Sequence, residues 1–417
     1  MTDSSIPKFH EKTREERLHI LESFSNLSKE DIQIIRNEGG IDFEQANSMV
    51  ENAIGTVSYP LGIATNFKIN GNDYLIPMVI EEPSVIAAAS KAAKIARKHG
   101  GFIMEADESY SIGQIQVVDV DIKSVISKII DASDEILLLA NSKSKTLSKM
   151  GKGAKEISCK EITTESGVML VVEILIDVGD AMGANVTNTM CEAVAPLIEK
   201  ITGGRVILKI LSNYSTKRLV RGNAIFDKEE LGGEEIVDNI IWAYEFAAND
   251  PYRAVTHNKG IMNGIVAVAN STGQDTRAIE AAAHAYASRS GKYASLTKWE
   301  KDKNGNLLGE IEMPMSVGTV GGIINIHPMI KVCVKILGVK SAKELACIIG
   351  AAGLAQNFSA IRALASEGIQ KGHMKLHARN IATSAGVPQE KMDEVIAKMT
   401  REGNISVTRA KEILENL

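Results

Sequence analysis

The segment Asp177-Val-Gly-Asp-Ala-Met-Gly-Ala-Asn185 lies between an apolar run and a long helical pattern, and the elements around it decide the fold. Alternating or apolar runs indicate strands, whereas apolar residues three and four apart indicate helices. The surrounding chain divides into six elements in the order β-α-β-β-α-β, at residues 112–120, 122–140, 156–163, 167–176, 185–201 and 205–211. This order predicts a ferredoxin-like domain over residues 108–212.

The same segment is a candidate anion site. Small residues and Gly183 allow a ligand to approach the backbone, and the helix that follows begins with unpaired amides. A cofactor pyrophosphate could bind there, and a tight strand-to-helix turn without a ligand is the alternative. No G-x-G-x-x-G follows a predicted strand, and no G-x-x-x-x-G-K-[ST] occurs, so any dinucleotide site would be neither Rossmann-type nor a P-loop.

The predicted insert divides a larger domain into two parts. A chain of 417 residues exceeds the size of one typical core, and residues 1–107 and 213–370 are rich in helical patterns. Residues 371–417 are charged, helical and preceded by glycines, which is typical of a mobile lid. The predicted class is α+β, a helix-rich large domain with an inserted ferredoxin-like cofactor-binding domain and a helical C-terminal lid.

The stretch His257-Asn-Lys-Gly-Ile-Met-Asn-Gly264, followed by Gly273-Gln-Asp275, contains the side chains expected to perform chemistry. The glycines around Lys259 predict a tight loop that presents its ammonium group. Asp275 precedes an Ala-rich helix, where free amides would hold its carboxylate. We expect Lys259 and Asp275 to meet in one pocket. A surface lysine and an ordinary helix cap are the alternative.

Glu82-Pro-Ser84 stands between a predicted strand and a second Ala-rich helix, Val85–Lys98. Proline suits the first position of a helix, so Glu82 is expected at the N-cap. A cap without chemistry is the alternative. An earlier helix is predicted to run through Glu51-Asn-Ala-Ile-Gly55, with its polar residues at a corner of the chain.

Two histidines, His373 and His377, lie four residues apart near the predicted lid. This spacing places both on one helix face and suggests a zinc site. The metalloprotease pattern requires Glu after the first histidine, and Met374 stands there, so we predict no metal site. His373 is therefore either an ordinary helix residue or a candidate acid.

Composition excludes several classes of protein. A net charge of −5 leaves no basic field for nucleic acid, and 44% hydrophobic residues suffice for a packed interior. The four cysteines form no Cys-x-x-Cys pair, which argues against a zinc ribbon or a disulfide framework. No signal sequence or uncharged run of about 20 residues occurs. We expect a cytoplasmic protein that binds neither nucleic acid nor membrane.

Seven short motifs follow one another along the chain: Glu51-Asn-Ala-Ile-Gly55, Glu82-Pro-Ser84, Asp180-Ala-Met-Gly-Ala-Asn185, His257-Asn-Lys-Gly260, Gly273-Gln-Asp275, Gly318-Thr-Val-Gly-Gly322 and Gly372-His-Met374. One such motif would be weak evidence, but seven in order are specific. Together they resemble hydroxymethylglutaryl-CoA reductase. The soluble bacterial and archaeal class (class II) is the more similar, because Lys259 lies in a His-Asn-Lys-Gly motif and no membrane anchor is seen.

The resemblance implies a four-electron reaction that interconverts hydroxymethylglutaryl-CoA (HMG-CoA) and mevalonate plus CoA with two NAD(P)H, through mevaldehyde. It implies that Lys259 stabilises the oxyanion, Glu82 donates a proton and Asp275 organises their charges. His373 would protonate the CoA thiolate. The implied substrate-binding residues are Ser84, Asn213, Arg253 and Asn263. The implied cofactor-binding residues are Ser144, Asp180, Met182, Gly183 and Asn185.

The loop after the first helix of the insert bears on the choice of cofactor. Family members that use NADH resemble one another in an acidic residue there, whereas this loop is Asn141-Ser-Lys-Ser-Lys145, with Ser144 in that place. The missing carboxylate and the nearby lysines favour a 2′-phosphate, so we expect NADPH rather than NADH. The resemblance also implies active sites shared across a homodimer or an assembly of dimers.

Two other functions remain open at this point. A CoA-dependent acyltransferase would need a nucleophile, and Cys333 lies in a predicted buried strand, Lys331–Lys335, with no Cys–His arrangement evident. A non-catalytic acyl-CoA-binding protein would be indicated if Lys259, Glu82, Asp275 and His373 lay far apart.

Overall fold

Two β-sheets with helices packed on them make up the described chain, which comprises residues 3–366 and 378–417 of a computed structural model. Strands β1 to β10 are Leu61–Ile69, Asn72–Val79, Phe102–Ala106, Tyr110–Val118, Gly153–Thr164, Gly167–Asp177, Arg205–Ser212, Leu219–Phe226, Thr297–Lys301 and Leu307–Pro314. Helices α1 to α16 are Arg14–Ser25, Lys29–Arg36, Phe43–Met49, Val85–Ala96, Ile122–Asp131, Ser133–Asn141, Lys145–Lys149, Ala184–Thr202, Lys228–Leu231, Glu234–Asn249, Pro251–Ser271, Thr276–Ala287, Pro328–Leu337, Ala342–Ala365, Met392–Glu402 and Val407–Glu415. Residues 378–384 are also helical.

The larger sheet has the strand order β2-β1-β3-β8-β10-β9 and takes strands from both sides of residues 108–212. Strand β3 pairs antiparallel with β8, Phe102 opposite Ala224, so the chain re-enters the sheet beside the strand from which it left. The smaller sheet, β5-β6-β4-β7, is antiparallel and takes all its strands from residues 110–212. Helices α5, α6 and α8 pack with it in a βαββαβ arrangement. The predicted α+β class is confirmed.

Residues 378–417 form a small hydrophobic cluster of their own. Ala382, Val395, Met399 and Ile413 are buried within it. The segment is therefore helical, as the sequence predicts, and it has its own core. That it acts as a lid remains a prediction.

Helices α11 and α14 pack very closely in the larger domain because glycines face the partner helix. A Cβ atom on Gly264 would lie 2.6 Å from the carbonyl oxygen of Ala352, and one on Gly353 would lie 2.8 Å from the Ile265 side chain. Glycine disfavours a helix interior by about 1 kcal/mol relative to alanine, so these glycines serve packing rather than helix formation. The close contact fixes where the other faces of α11 point.

The predicted loop around Lys259 is wrong, because the whole stretch 257–264 lies inside α11. Asp250 caps this helix by accepting a hydrogen bond from the Arg253 amide at 2.7 Å, and Pro251 occupies its first turn. Gly260 and Gly264 do not bend the backbone. Gly264 leaves room for α14, a contact between distant segments that a local pattern does not contain.

Three other local predictions are also wrong. The helix expected to run through Gly55 ends at Met49, and residues 53–60 have no regular structure. The strand expected around Cys333 is part of α13, in which Ile330, Cys333 and Ile336 are buried at helical spacing. The single helix expected over 122–140 is two helices that meet at Ala132.

A buried polar network ties α11 to α14 and β9. His257 Nε2 lies 2.7 Å from Thr297 Oγ1, and this hydroxyl donates to Asn357 Oδ1 at 2.9 Å. The Trp299 indole donates to the same oxygen, and the Asn357 amide donates to the His257 carbonyl. Burial, together with the charge of Arg253, lowers the pKa of His257 to about 3, so the ring is neutral. Its Nε2 carries the proton, since Thr297 donates elsewhere.

One helix of the described residues, α14, is long and apolar enough to cross a bilayer by length and composition. Most of its apolar window, 78%, is buried inside the protein, as in the central helix of a globular core.

The space at Gly264 can be tested by substitution. Gly264→Ala should lower the free energy of unfolding by roughly 1–3 kcal/mol, because its Cβ would overlap the backbone of Ala352. Gly260→Ala is the matched control, since its Cβ would contact Ala360 at an ordinary 3.5 Å. It should be neutral or stabilising by up to about 1 kcal/mol. Urea unfolding measures both, and equal stabilities would contradict the packing role of Gly264.

His257 should make folding stability depend on pH. Its folded pKa, about 3, is below its ordinary value of 6.5, so between these values the unfolded chain binds a proton that the folded chain does not. The contribution is complete above about pH 6.5 and is lost as the pH falls toward 3. In urea unfolding at several pH values, His257→Gln should lose stability less steeply on acidification than the native chain. His10→Gln, on an exposed side chain, should retain the native slope, and a native slope in His257→Gln would contradict this origin.

Candidate active site

A cavity of about 520 Å³ opens between α11, α14 and the segment that leads into α4. Five residues predicted to belong to the site line it. They are Glu82, Ser84, Arg253, Lys259 and Asn263. The first two follow β2, whereas the other three lie on α11, where Lys259 and Asn263, four residues apart, share a face. Two segments remote in sequence therefore supply one cavity.

Lys259 and Glu82 form an ion pair at the wall of this cavity. Lys259 Nζ lies 3.0 Å from Glu82 Oε2, and the Asn263 amide approaches the same oxygen at 3.5 Å. The Lys259 side chain is 61% exposed and that of Glu82 38% exposed. Solvent-exposed ion pairs contribute about 0–1 kcal/mol to stability. The pair thus places two reactive groups side by side and adds little to folding.

Ser84 occupies a strained position at the start of α4. The helix begins at Val85, and Ser84, not Glu82, is its N-cap residue, so the predicted cap position of Glu82 is wrong. Ser84 has φ = 76°, in the left-handed region, which costs a non-glycine residue about 1–2 kcal/mol. Its hydroxyl is buried without a hydrogen-bond partner in the described chain. Strain combined with an unsatisfied polar group is typical of a ligand site.

Arg253 brings a partly buried positive charge to the cavity. It lies in the first turn of α11, and burial lowers the pKa of its guanidinium. Within the described chain it forms no ion pair. Arginine binds carboxylates through two parallel hydrogen bonds, so an anionic ligand would satisfy it.

Gln356 is a cavity residue that sequence reasoning missed, because it lies in none of the seven motifs. Its side chain is 6% exposed, lines the cavity and has a buried Oε1 without a partner. The signal was present in the sequence as a Gln-Asn pair within a run of small and apolar residues. An acceptor left unsatisfied in this way suits a ligand hydroxyl or amide.

Asp275 lies apart from Lys259 within the single chain, and the expectation that the two meet in one pocket stays a prediction. It caps α12, accepting from the Ala278 amide at 3.1 Å, and pairs with Arg277. Lys259 lies in the middle of α11, and the twelve residues to the end of that helix span about 18 Å. Asp275 is not among the residues that line the cavity.

Residues 180–183 belong to a second cluster, where three of the motifs meet. The Thr319 amide donates to the Asp180 carbonyl at 2.8 Å, and Ala181 pairs with Val320. Gln274 binds the backbone of Gly318 on both sides, at 2.8 and 3.0 Å. Helix α8 begins just after Gly183, with φ = 109° and no side-chain cap, so its first amides remain available to a ligand.

The remaining predicted residues are placed as follows. The Asp180 carboxylate accepts from the Ala342 amide at the start of α14, which gives it a structural contact. Ser144 caps α7 through the Leu147 amide at 3.3 Å. Asn185, in the first turn of α8, and Asn213, after β7, are both exposed. His373 lies outside the described residues.

Two further observations concern the described residues. No group of three or more His, Cys, Asp or Glu side chains in 3–366 and 378–417 could hold a metal ion. A second hollow of about 590 Å³ lies over β8, β9 and β10, and its charged residues Arg221, Glu312 and Lys298 already form ion pairs. It contains none of the seven motifs, so we assign the chemistry to the cavity beside α11.

Comparison with known proteins agrees with the motifs. Residues 13–378 match the family model described as Hydroxymethylglutaryl-coenzyme A reductase. The chain is 52% identical to the 3-hydroxy-3-methylglutaryl-coenzyme A reductase of Archaeoglobus fulgidus, over 99% of this chain and 95% of that protein. It is 38% identical to a probable reductase of Borreliella burgdorferi, over 98% of this chain and 95% of that protein.

Solved structures show the same relation. A 3-hydroxy-3-methylglutaryl-coenzyme A reductase from Streptococcus pneumoniae superposes with a TM-score of 0.84 at 40% identity, covering 98% of this chain and 99% of that one. A class II reductase from the same organism, bound to NADPH in open conformations, has a TM-score of 0.83 at 40% identity, with 97% and 99% covered. The resemblance inferred from the motifs is confirmed, and the chain belongs to the hydroxymethylglutaryl-CoA reductase family of NAD(P)H-dependent oxidoreductases.

Proposed function

We propose that this protein converts HMG-CoA to mevalonate and CoA at the cavity beside α11, with two equivalents of NADPH. The observation that carries the proposal is the convergence of the Lys259–Glu82 pair, the unpaired Arg253 and the unsatisfied Ser84 hydroxyl on one cavity. A carboxylate, a hydroxyl and a carbonyl that gains negative charge are the groups that HMG-CoA would present to them. Arg253 and Ser84 hold the carboxylate end, and Lys259 faces the reacting carbonyl.

The reaction needs two hydride transfers and two proton donations. NADPH supplies the hydrides. When the thioester carbonyl becomes an alkoxide, the Lys259 ammonium stabilises that charge. Collapse of the intermediate releases the CoA thiolate, which His373 protonates, and leaves mevaldehyde. In the second reduction, that of mevaldehyde, Lys259 again faces the carbonyl oxygen, and Glu82 donates a proton to that oxygen.

We assign Asp275 to the site of a second copy of the chain, in a homodimer or an assembly of dimers. Its distance along α11 from Lys259 supports this assignment. Residues 53–60 support it further, because they run without regular structure and expose apolar side chains such as Ile54 (100%) and Val57. Trp242, on α10, and Tyr252, on α11, are exposed as well. Exposed apolar patches of this kind mark protein interfaces.

The cofactor site is assigned to residues 180–185 at the start of α8, with Ser144 near the ribose. The free amides of α8 suit the negative pyrophosphate. Ser144 lies between Lys143 and Lys145, and no acidic side chain stands there to repel a 2′-phosphate. The related class II structure bound to NADPH supports the same choice. We place the enzyme in the cytoplasm and assign the movement of a lid to residues 371–417.

The alternative of an acyltransferase lacks a reactive cysteine in the described residues. Burial raises the pKa of Cys333 and of Cys191 to about 12, and that of Cys159 and Cys347 to about 11. The reactive form of cysteine is the thiolate. None of the four lines the cavity.

The reaction can be tested by its stoichiometry. With HMG-CoA, the protein should oxidise two NADPH for each CoA thiol released, with a higher kcat/KM for NADPH than for NADH. An acyltransferase or a binding protein would oxidise none.

The cofactor preference can be tested at Ser144. Ser144→Asp should lower kcat/KM for NADPH by on the order of tenfold, because the added carboxylate repels the 2′-phosphate, and should leave kcat/KM for NADH unchanged. A native preference for NADH would contradict the assignment of Ser144.

The shared site can be tested with purified mixed dimers. Lys259→Gln and Asp275→Asn should each be inactive, but their mixed dimer retains one site without substitutions and should show about half of the native activity. Lys259→Gln mixed with Glu82→Gln is the control. These two residues pair within one chain, so no complete site forms and no activity should return. A silent Lys259→Gln/Asp275→Asn dimer would contradict the shared site.

A further inference from the structure

Arg218 lies in the protein interior where the chain passes from the smaller sheet back to β8. Its side chain is 4% exposed, and burial lowers the pKa of the guanidinium to about 10, so it remains charged at neutral pH. Within the described chain no carboxylate lies within ion-pair distance of it, although Asp177 and Asp180 are near enough to offset part of the burial. A buried charge without a direct counter-ion is costly and calls for an explanation.

The guanidinium joins two segments that are remote in sequence. It donates to the carbonyls of Ala181 and Met182, at 3.3 and 3.1 Å, and to the carbonyl of Val317. The first two belong to the loop before α8, and the third belongs to the segment that follows β10. One side chain therefore holds the loop of the smaller unit against the larger one.

The same junction is closely packed on the other side of the loop. A Cβ atom on Gly318 would lie 2.5 Å from the Met182 amide nitrogen and 2.9 Å from the Ala181 carbonyl carbon. Gln274 holds the Gly318 backbone by two hydrogen bonds and precedes Asp275 directly. The loop, Gly318 and Asp275 are thus parts of one continuous set of contacts.

The direction of these hydrogen bonds determines which groups the loop presents. A peptide unit is planar and trans, so its N–H points opposite to its C=O. Since the carbonyls of Ala181 and Met182 point at Arg218, the amides of Met182 and Gly183 are turned away from it. The Met182 nitrogen lies against Gly318, so the Gly183 amide, next to the uncapped start of α8, is the one of the two that a ligand could reach.

We propose that Arg218 is a positioning residue for the nicotinamide cofactor, a role that rests on the function proposed above. It orients the amide of Gly183 toward the cofactor and keeps the loop in register with Asp275 through Gly318 and Gln274. It contacts neither substrate itself. Its loss should therefore weaken cofactor binding and leave binding of HMG-CoA nearly unchanged.

The test measures NADPH binding by fluorescence and the KM for each substrate in Arg218→Met, Arg218→Lys and Gly318→Ala. Arg218→Met should weaken NADPH binding by on the order of tenfold, with KM for HMG-CoA within about twofold of native. Arg218→Lys, which keeps the charge and part of the bonding, should give an intermediate value. Gly318→Ala displaces the loop without changing the Arg218 side chain and should weaken NADPH binding as much as Arg218→Met does.

Arg221→Met is the control. Arg221 lies further along β8 and forms ion pairs with Asp107 and Glu312, so this variant should bind NADPH with native affinity.

The affinity of the folded variants for NADPH decides whether Arg218 positions the cofactor. NADPH binding within about twofold of native in folded Arg218→Met would overturn the inference, because a purely structural contact changes the melting temperature but not the affinity of the folded enzyme. If Arg218→Met fails to fold, native affinity in both Arg218→Lys and Gly318→Ala overturns it in the same way. A native protein that binds neither NADPH nor NADH would instead overturn the proposed function, and this inference with it.

Discussion

The close contact between α11 and α14 is the constraint on which the site depends. Gly264 and Gly353 allow the two helices to approach until backbone meets side chain, so α11 can neither rotate nor slide without overlap. That fixed position leaves Arg253, Lys259 and Asn263 on the face that opens toward α4. The His257 network secures the same helix with hydrogen bonds that only one arrangement satisfies. Packing and polar contacts thus specify the direction of three side chains at once.

The reactive groups are also divided between the middle of α11 and the segment that follows its end. The Lys259–Glu82 pair lies at its middle, whereas Asp275 follows its end and is joined through Gln274 and Gly318 to the loop before α8. The acid and the candidate cofactor site therefore form one unit, and the ammonium and the substrate cavity form another. A helix of fixed length keeps these units apart in a single chain. In the proposed assembly, a second copy would bring its Asp275 and its loop to the cavity.

The sequence could predict those features that are encoded locally or by motif. The order of strands and helices along the smaller domain follows from apolar periodicity, and the cap at Asp275 follows from its place before a helix. The conformation around Lys259 could not be predicted, because Gly260 and Gly264 look the same in sequence whether they bend a chain or admit a neighbouring helix. The left-handed Ser84 and the unsatisfied Gln356 depend likewise on contacts with distant residues. Arg218 carries no signal in its own neighbourhood, since its three partners come from residues 181–182 and 317.

The exposure of the Lys259–Glu82 pair places a condition on catalysis. A fixed ammonium stabilises an alkoxide far better where water is excluded, because the interaction of two charges weakens as the surrounding dielectric rises. In the isolated chain the Lys259 side chain is 61% exposed, so its surroundings resemble water more than a closed site. The exposed apolar residues at 53–60 and on α10 and α11 lie on surfaces that a second copy would cover. Assembly would then perform two tasks together, because the copy that supplies Asp275 would also remove water from around Lys259.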